Sequence, residues 1–202
     1  MKLFTALLHD EAAASAAEFA LVLPLLLIFL FGIIDVGRFM WEYNRAEKAT
    51  QMGVRYAVVT DPVLSGLSGY SFATSGEVPA GSAVPSTYFD SASCTSGTCS
   101  CTGSGGFCGS AGFNNTAFTN LVTKMAEMYP PIGAGNVEID YKNVGLGFSG
   151  NPDGPDVSAL VTVKLRSLNF HPITCLVFAC SISMPDFNAA LTLEDASGNV
   201  SN

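Results

Sequence analysis

The alternation of apolar and polar positions divides the chain into a helical N-terminal part and a mixed body. From Phe19 to Ile34, sixteen residues pass without a charge. The small residues from Ala12 onward extend this stretch to 23 residues, interrupted only by Ser15 and Glu18. At 1.5 Å per residue, such a helix reaches about 34 Å, enough to cross the hydrocarbon layer of a bilayer. Beyond Ile34 the pattern changes. Val36, Phe39, Met40, Tyr43, Ala46, Thr50, Val54, Ala57 and Val58 recur at intervals of three and four, the spacing of one helix face. Arg38, Glu42, Arg45 and Lys48 fall largely on other faces, and Asp35–Arg38 and Glu42–Arg45 stand at the neighbour spacing of a helix surface. Pro62 ends the pattern. The prediction is one helix over roughly residues 12–60, apolar all round at first and amphipathic afterwards. Pro24 removes one backbone donor and is the candidate kink.

The body reads differently. Residues 61–113 are dense in Ser, Gly, Thr and Pro and predict loops, among them a Cys-rich loop over 94–108. A second helix is predicted over Asn115–Tyr129, with Phe118, Leu121, Val122, Met125 and Met128 as its apolar stripe, ended by Pro130 and Pro131. Val137–Tyr141 alternates as a strand, residues 151–156 form a turn, and Val157–Leu165 is the clearest strand; Phe187–Leu193 is another candidate. The fold class that follows is α+β: a long N-terminal membrane-spanning and amphipathic helix packed on a small antiparallel sheet domain, with disulfide-stapled loops. The organisation expected from the pattern is this long helix, with its membrane-crossing part ending near Ile34, followed by a separate domain over 61–202.

Charge narrows the function. Residues 61–202 carry four Lys/Arg against eleven Asp/Glu, without basic clusters, so a nucleic-acid partner is not expected. The six cysteines, Cys94, Cys99, Cys101, Cys108, Cys175 and Cys180, all follow the apolar run. An even count on one side of a membrane segment reads as a disulfide framework in an oxidising compartment. A zinc site would need ligand spacings that are missing here, and His171 is the only downstream histidine. Cys175 and Cys180 bracket Leu176–Ala179 and would staple a short loop. Among the other four, three pairings are open.

The apolar run does not read as a removable signal peptide. Its small-residue cluster precedes the apolar core, and "DVGRFM" follows it. A retained membrane helix is therefore expected. Lysine and arginine counts favour the opposite topology, with Arg38, Arg45, Lys48 and Arg55 on the C-terminal side, but the cysteines place the body outside the cytoplasm.

Within Ala12–Ala57, the E-F-A-L-V-L-P core (Glu18–Pro24), F-G-I-I-D-V-G-R (Phe31–Arg38) and G-V-R-Y-A (Gly53–Ala57) resemble the TadE-like family of minor pseudopilins. These belong to the Tad (Flp, type IVc) pilus systems of bacteria. The resemblance implies a pilin-like body and cleavage by a prepilin peptidase between Ala13 and Ala14, which divides the chain into a 1–13 cytoplasmic leader, a 14–60 helix with its transmembrane segment over about 14–34 and the 61–202 extracytoplasmic domain, and makes Glu18 the fifth residue of the mature chain. It also implies that Glu18, Phe19 and Pro24 act in helix assembly and register, with the Glu18 carboxylate meeting the new Ala14 amine of a neighbour. The partners implied are the membrane, other pilus subunits and pseudopilins, the prepilin peptidase and the inner-membrane assembly platform. The implied place is the bacterial inner membrane, crossed once, with the C-terminal domain in the periplasm and, after assembly, the pilus. No catalytic residue, cofactor or metal is expected. Ala13 stands where the family usually has glycine, so the alternative is an uncleaved single-pass anchor with an accessory assembly or envelope role.

Other readings are weaker. His171 and Asp186 with a serine would sketch a hydrolase triad, but neither G-x-S-x-G nor H-E-x-x-H occurs. Asp153 and Asp156 lack an EF-hand ligand pattern. Asn114-Asn115-Thr116 matches a glycosylation acceptor. "DSASC" at 90–94 departs from the D-x-S-x-S of a TadG-like metal-binding adhesion domain at Ala92.

Overall fold

A computed structural model of the protein describes residues 11–175, 180–194 and 196–198. Its longest element is helix α1, Glu11–Val59, which runs for 49 residues with Pro24 inside it, about 74 Å of helix. The expected bounds hold to one residue at each end. The chain forms two compact units, Met1–Glu42 with Asn169–Ile182, and Tyr43–Leu168 with Ser183–Asn202. Helix α1 supplies residues to both.

The larger unit is an antiparallel sheet closed over by helices. In chain order, its strands are β1 (Leu64–Ser65), β2 (Ser91–Thr95), β3 (Thr98–Thr102), β4 (Gly112–Phe113), β5 (Val137–Lys142) and β6 (Leu160–Leu165). Strand β7 (Asn169–Phe170) belongs to the smaller unit, β8 (Ile182–Ser183) falls where the chain passes from one unit to the other, and β9 (Phe187–Thr192) belongs to the larger. Helix α2 covers Gly106–Ser110 and α3 covers Asn115–Met128. The main sheet has the order β3-β2-β5-β6-β9, and every neighbouring pair in it is antiparallel. Strand β1 pairs with β4, and β7 with β8.

The period-two rule puts one face of this sheet inside. Val137, Ile139 and Tyr141 of β5 and Val161, Val163 and Leu165 of β6 are all buried. Of the intervening residues, Glu138, Asp140 and Lys164 carry charge. Lys164 pairs with Glu138 at 3.1 Å and with Asp140, and Arg166 meets Glu138 at 2.7 Å. From α1, Ala46, Ala49, Thr50, Val54, Ala57 and Val58 are buried. Gly53 lets α3 come close, because a Cβ there would lie 2.8 Å from Cγ and Sδ of Met125. Helix α3 begins at Asn114, whose side chain accepts from the Ala117 N–H and whose Nδ2 donates to the Pro62 carbonyl. The acceptor asparagine of the glycosylation pattern is thus a helix cap.

Several expectations need correction. The Cys-rich stretch 94–108 is not simply a loop, since β2 and β3 form a hairpin within it, with Cys94 opposite Cys99. Its apolar alternation is carried by Ala92 and Cys94, residues too small to stand out against serine and threonine. Strand β6 starts at Leu160, not Val157; Val157 and Ala159 are buried but precede the pairing, which begins with Leu160 opposite Lys142. The stripe of α3 is Ala117, Phe118, Leu121 and Met125, with Met128 exposed in the last turn. On α1, Val36 and Met40 are exposed as well.

The disulfides are Cys94–Cys99, Cys101–Cys108 and Cys175–Cys180. The first joins facing strands and the second ties β3 to α2, which selects one of the three pairings left open. The third closes the expected staple, and the bracketed residues 176–179 lie outside the described ones. Digestion without reduction should release a Cys101–Cys108 linked species and none joining Cys94 to Cys108; mass spectrometry reads this directly.

Tyr141 ties the sheet to the chain leaving α1. It is fully buried, and its hydroxyl accepts the Val63 N–H at 2.9 Å. Burial holds its titration far above the ordinary tyrosine range, so the hydroxyl stays neutral. Tyr141→Phe should destabilise this unit by about 1–3 kcal/mol, the cost of an unsatisfied buried donor. Thermal denaturation of the detergent-solubilised protein checks this, and an unchanged transition would contradict the assigned bond.

Candidate functional site

The candidate site is the first half of α1 and the contacts at its base. An α-helix satisfies its own backbone groups, so a fully apolar helix can stand in hydrocarbon without further partners. Here the side chains from Phe19 to Ile34 point outward with little cover. Leu21 is 79% exposed and Phe29 71% exposed. The most apolar eighteen-residue window of this helix has a mean hydropathy of 2.7, enough by length and composition to cross a membrane.

Glu18 stands in the exposed first turns beside Phe19. The ion pairs among the described residues begin at Asp35 and do not include it. Ala13 and Ala14 are helical, and Pro24 lies inside α1 without ending it. Proline is tolerated there because the lost bond is one among many in a long ladder.

Immediately past the apolar stretch the environment reverses. Asp35 is only 6% exposed. Its Oδ1 accepts the Ile173 N–H at 2.7 Å, and its Oδ2 accepts the Thr174 N–H and the Thr174 hydroxyl, both at 2.8 Å. Arg38 approaches Oδ1 at 3.4 Å and Glu42 at 3.6 Å. Its Nη1 also donates to the His171 carbonyl, and its guanidinium lies 5.3 Å from the ring centre of Phe170. Phe39 meets the same ring edge to face at 5.4 Å. Asp35 therefore clasps the segment 169–175 onto α1.

Burial pushes the Asp35 carboxyl upward, but the two backbone N–H groups, the Thr174 hydroxyl and Arg38 outweigh it, and the carboxyl titrates below the usual aspartate range. Asp35 is the first residue beyond the apolar stretch, outside the span that ends at Ile34.

Comparison with known families adds a specific result. The family model described as TadE-like protein matches residues 13–55. Most of α1 is a TadE-like segment. Neither the curated proteins nor the solved structures contain a match to the chain.

The TadE-like segment contains every helix residue expected from the sequence to matter: Ala13, Ala14, Glu18, Phe19 and Pro24. It also contains Asp35, whose role the sequence reading missed. The i,i+3 spacing to Arg38 was visible, and that pair is present. The dominant partners, Ile173 and Thr174, lie 138 and 139 residues away, and no local signal points to them. The other polar residues singled out from the sequence, outside the segment, make contacts within the fold. Asp156 is buried and accepts the Phe72 and Asn151 N–H groups. His171 is exposed with its carbonyl engaged by Arg38, while Asp186 faces Arg166 at 3.8 Å. Among the described residues, no cluster of three or more His, Cys, Asp or Glu could hold a metal ion.

A group whose folded titration is depressed contributes stability above its unfolded value, and that contribution is lost as pH falls through the folded one. Exchange at the Ile173 and Thr174 amides should therefore be slow, relative to intrinsic rates, at neutral pH and should accelerate below the ordinary aspartate range. Asp35→Ala should abolish this protection at every pH. Residue-resolved hydrogen exchange checks both; protection that survives the substitution would show that the clasp does not depend on the carboxylate.

Proposed function

We propose that this protein is a minor pseudopilin, or pilus assembly protein, of a bacterial Tad (Flp) pilus, non-catalytic and packing through its N-terminal helix. The observation that carries the reading is the TadE-like match over residues 13–55, coinciding with an exposed apolar helix stretch that has the Glu18 carboxylate immediately before Phe19.

The chemistry supports the same reading. A lone carboxylate in a membrane segment is costly unless paired. Cleavage between Ala13 and Ala14 by a prepilin peptidase creates an amine one helical turn from Glu18. In a pack of such helices, the Glu18 carboxylate of one subunit meets the Ala14 amine of another. The pair compensates both charges and sets axial register, while Phe19 and Pro24 shape the packing surface around it. Removing one partner of a buried pair costs about 3–5 kcal/mol. Before assembly, the same helix anchors the protein in the inner membrane. The three disulfides favour an oxidising compartment for the C-terminal domain, hence the periplasm. The partners are other pilus subunits and pseudopilins, the peptidase and the inner-membrane assembly platform.

Intact mass of the membrane-extracted protein should show loss of Met1–Ala13; a full-length chain in cells with an active prepilin peptidase identifies the uncleaved anchor instead. Glu18→Ala should leave membrane insertion intact and abolish crosslinking to other pilus subunits, with Glu18→Gln intermediate. Normal crosslinking and filament counts with Glu18→Ala, at matched expression, would remove the carboxylate from the assembly contact.

A further inference from the structure

Strand β9 closes the main sheet on one side, and its outer edge is bare. It pairs with β6 residue for residue over Phe187–Thr192, without a bulge. The Leu193 N–H donates to the Ala159 carbonyl at 2.8 Å and carries that ladder one step further. In an antiparallel pair, hydrogen-bonded positions alternate with non-bonded ones. Leu193, Leu191, Ala189 and Phe187 are therefore the bonded set, and the N–H and C=O groups of Asn188, Ala190 and Thr192 point away from β6. Glu194, next in the outward set, donates its N–H to the Val58 carbonyl at 3.0 Å. Asn188, Ala190 and Thr192 are exposed, and among the described residues none of them makes a backbone hydrogen bond outside the sheet. Edges of this kind are ordinarily blunted by lysine, proline or a bulge. The stretch Phe-Asn-Ala-Ala-Leu-Thr holds neither charge nor proline. The opposite edge, β3, is tied to α2 by Cys101–Cys108.

Beside the bare edge lies a groove of about 330 Å³, lined by Met52, Arg55 and Val59 of α1, Lys124 of α3, and Leu191 and Glu194. Leu191 belongs to the inward set of the sheet, opposite the fully buried Val161, yet it is 42% exposed. The inner face of β9 is thus buried at Phe187 and Leu193 and open at Leu191 between them. The lining holds two cations and one carboxylate. Lys124 is paired with Glu127 at 2.8 Å. Arg55 is exposed and takes part in none of the ion pairs among the described residues.

We infer that β9 is a docking edge for an extended strand of another polypeptide. The incoming strand adds to the sheet as a sixth, seats an apolar side chain beside Leu191 and Met52, and brings a carboxylate to Arg55. Recognition at sheet edges works this way: main-chain hydrogen bonds hold the peptide, and pockets for alternate side chains select it. Each outward residue offers one donor and one acceptor, and the groove opens next to them. A second copy is the poorer occupant. Antiparallel pairing of two β9 strands that engages all three outward residues sets Asn188 opposite Thr192 and Ala190 opposite Ala190, so Asp186 falls opposite Glu194 at both ends. Like charges directly opposite each other are destabilising.

The test uses full-length protein in detergent micelles and a capped peptide of alternating valine and threonine flanked by glutamate on both sides. Residue-resolved hydrogen exchange should show the Asn188, Ala190 and Thr192 amides exchanging freely in the protein alone and slowed about tenfold or more by saturating peptide. The same peptide methylated at alternate backbone nitrogens should have no effect, and a lysine-flanked peptide should bind more weakly. Arg55→Glu, at an exposed helix position, should reverse that preference. Ala190→Pro removes an outward N–H that the β6–β9 ladder does not use, as edge strands tolerate; it should abolish the protection and leave the thermal transition unchanged. Absence of protection with the unmethylated peptides, or equal protection with the methylated one, overturns the docking edge. Protection that rises with protein concentration alone assigns the edge to a second copy and overturns the proposal as well. A peptide preference unmoved by Arg55→Glu overturns the acidic character of the partner, whether or not the proline variant folds.

Discussion

Helix α1 runs from Glu11 to Val59 with a single backbone donor missing, at Pro24, and it supplies residues to both compact units. In hydrocarbon an unsatisfied backbone group costs several kcal/mol, so the N-terminal half has to be helical if it enters a bilayer. In the body the same helix serves a different purpose. It presents Ala46, Ala49, Gly53, Val54 and Ala57 as a narrow stripe of small residues, which lets neighbouring elements approach closely. The change from one regime to the other needs no loop, because only the side chains change along a constant backbone.

Two carboxylates on this helix show how position decides the role of an acid. Asp35 lies just past the apolar stretch and is enclosed by two backbone N–H groups, a hydroxyl and a guanidinium. Its charge is compensated within the chain and holds a distant segment in place. Glu18 lies within the apolar part and takes no part in the ion pairs among the described residues. A charge left without compensation at membrane depth is a source of specificity, since any arrangement that pairs it is favoured over those that do not. In the proposed pseudopilin role this difference separates self-assembly from self-stabilisation.

The body reaches a folded state despite long polar stretches. Between Leu64 and Phe113 the chain offers little apolar periodicity, yet Phe72, Phe89 and Phe107 are buried there, with Phe107 meeting Phe89 and Tyr70 edge to face. Two disulfides close rings of five- and seven-residue separation in the same region, reducing the freedom of the unfolded chain. Asp156 stitches two loops through the Phe72 and Asn151 amides. Crosslinks and one buried carboxylate thus stand in for the apolar pattern that the segment lacks.

Much of this was legible in the residues alone. The extent of α1, helix α3 and strands β5 and β6 follow from periodicities of 3.6 and 2 confined to single segments, and the TadE-like character follows from a continuous stretch of the same helix. Short-range information of that kind survives without knowledge of the rest of the chain. The hairpin of β2 and β3 was hidden because its inward positions are Ala92 and Cys94, too small to register as apolar alternation. The pairing of Cys94 with Cys99 depended on that hairpin's register. The partners of Asp35 were set by contacts nearly 140 residues away in sequence. What the sequence by itself determined is therefore the longer elements, α1, α3, β5 and β6, and the membrane-compatible character of the first, because these are local. The folded structure alone decided which of the four thiols between Cys94 and Cys108 meet, because that depends on hairpin register, and which carboxylate is enclosed and which segment is held at the base of the helix, because these need two distant parts of the chain brought within bonding distance.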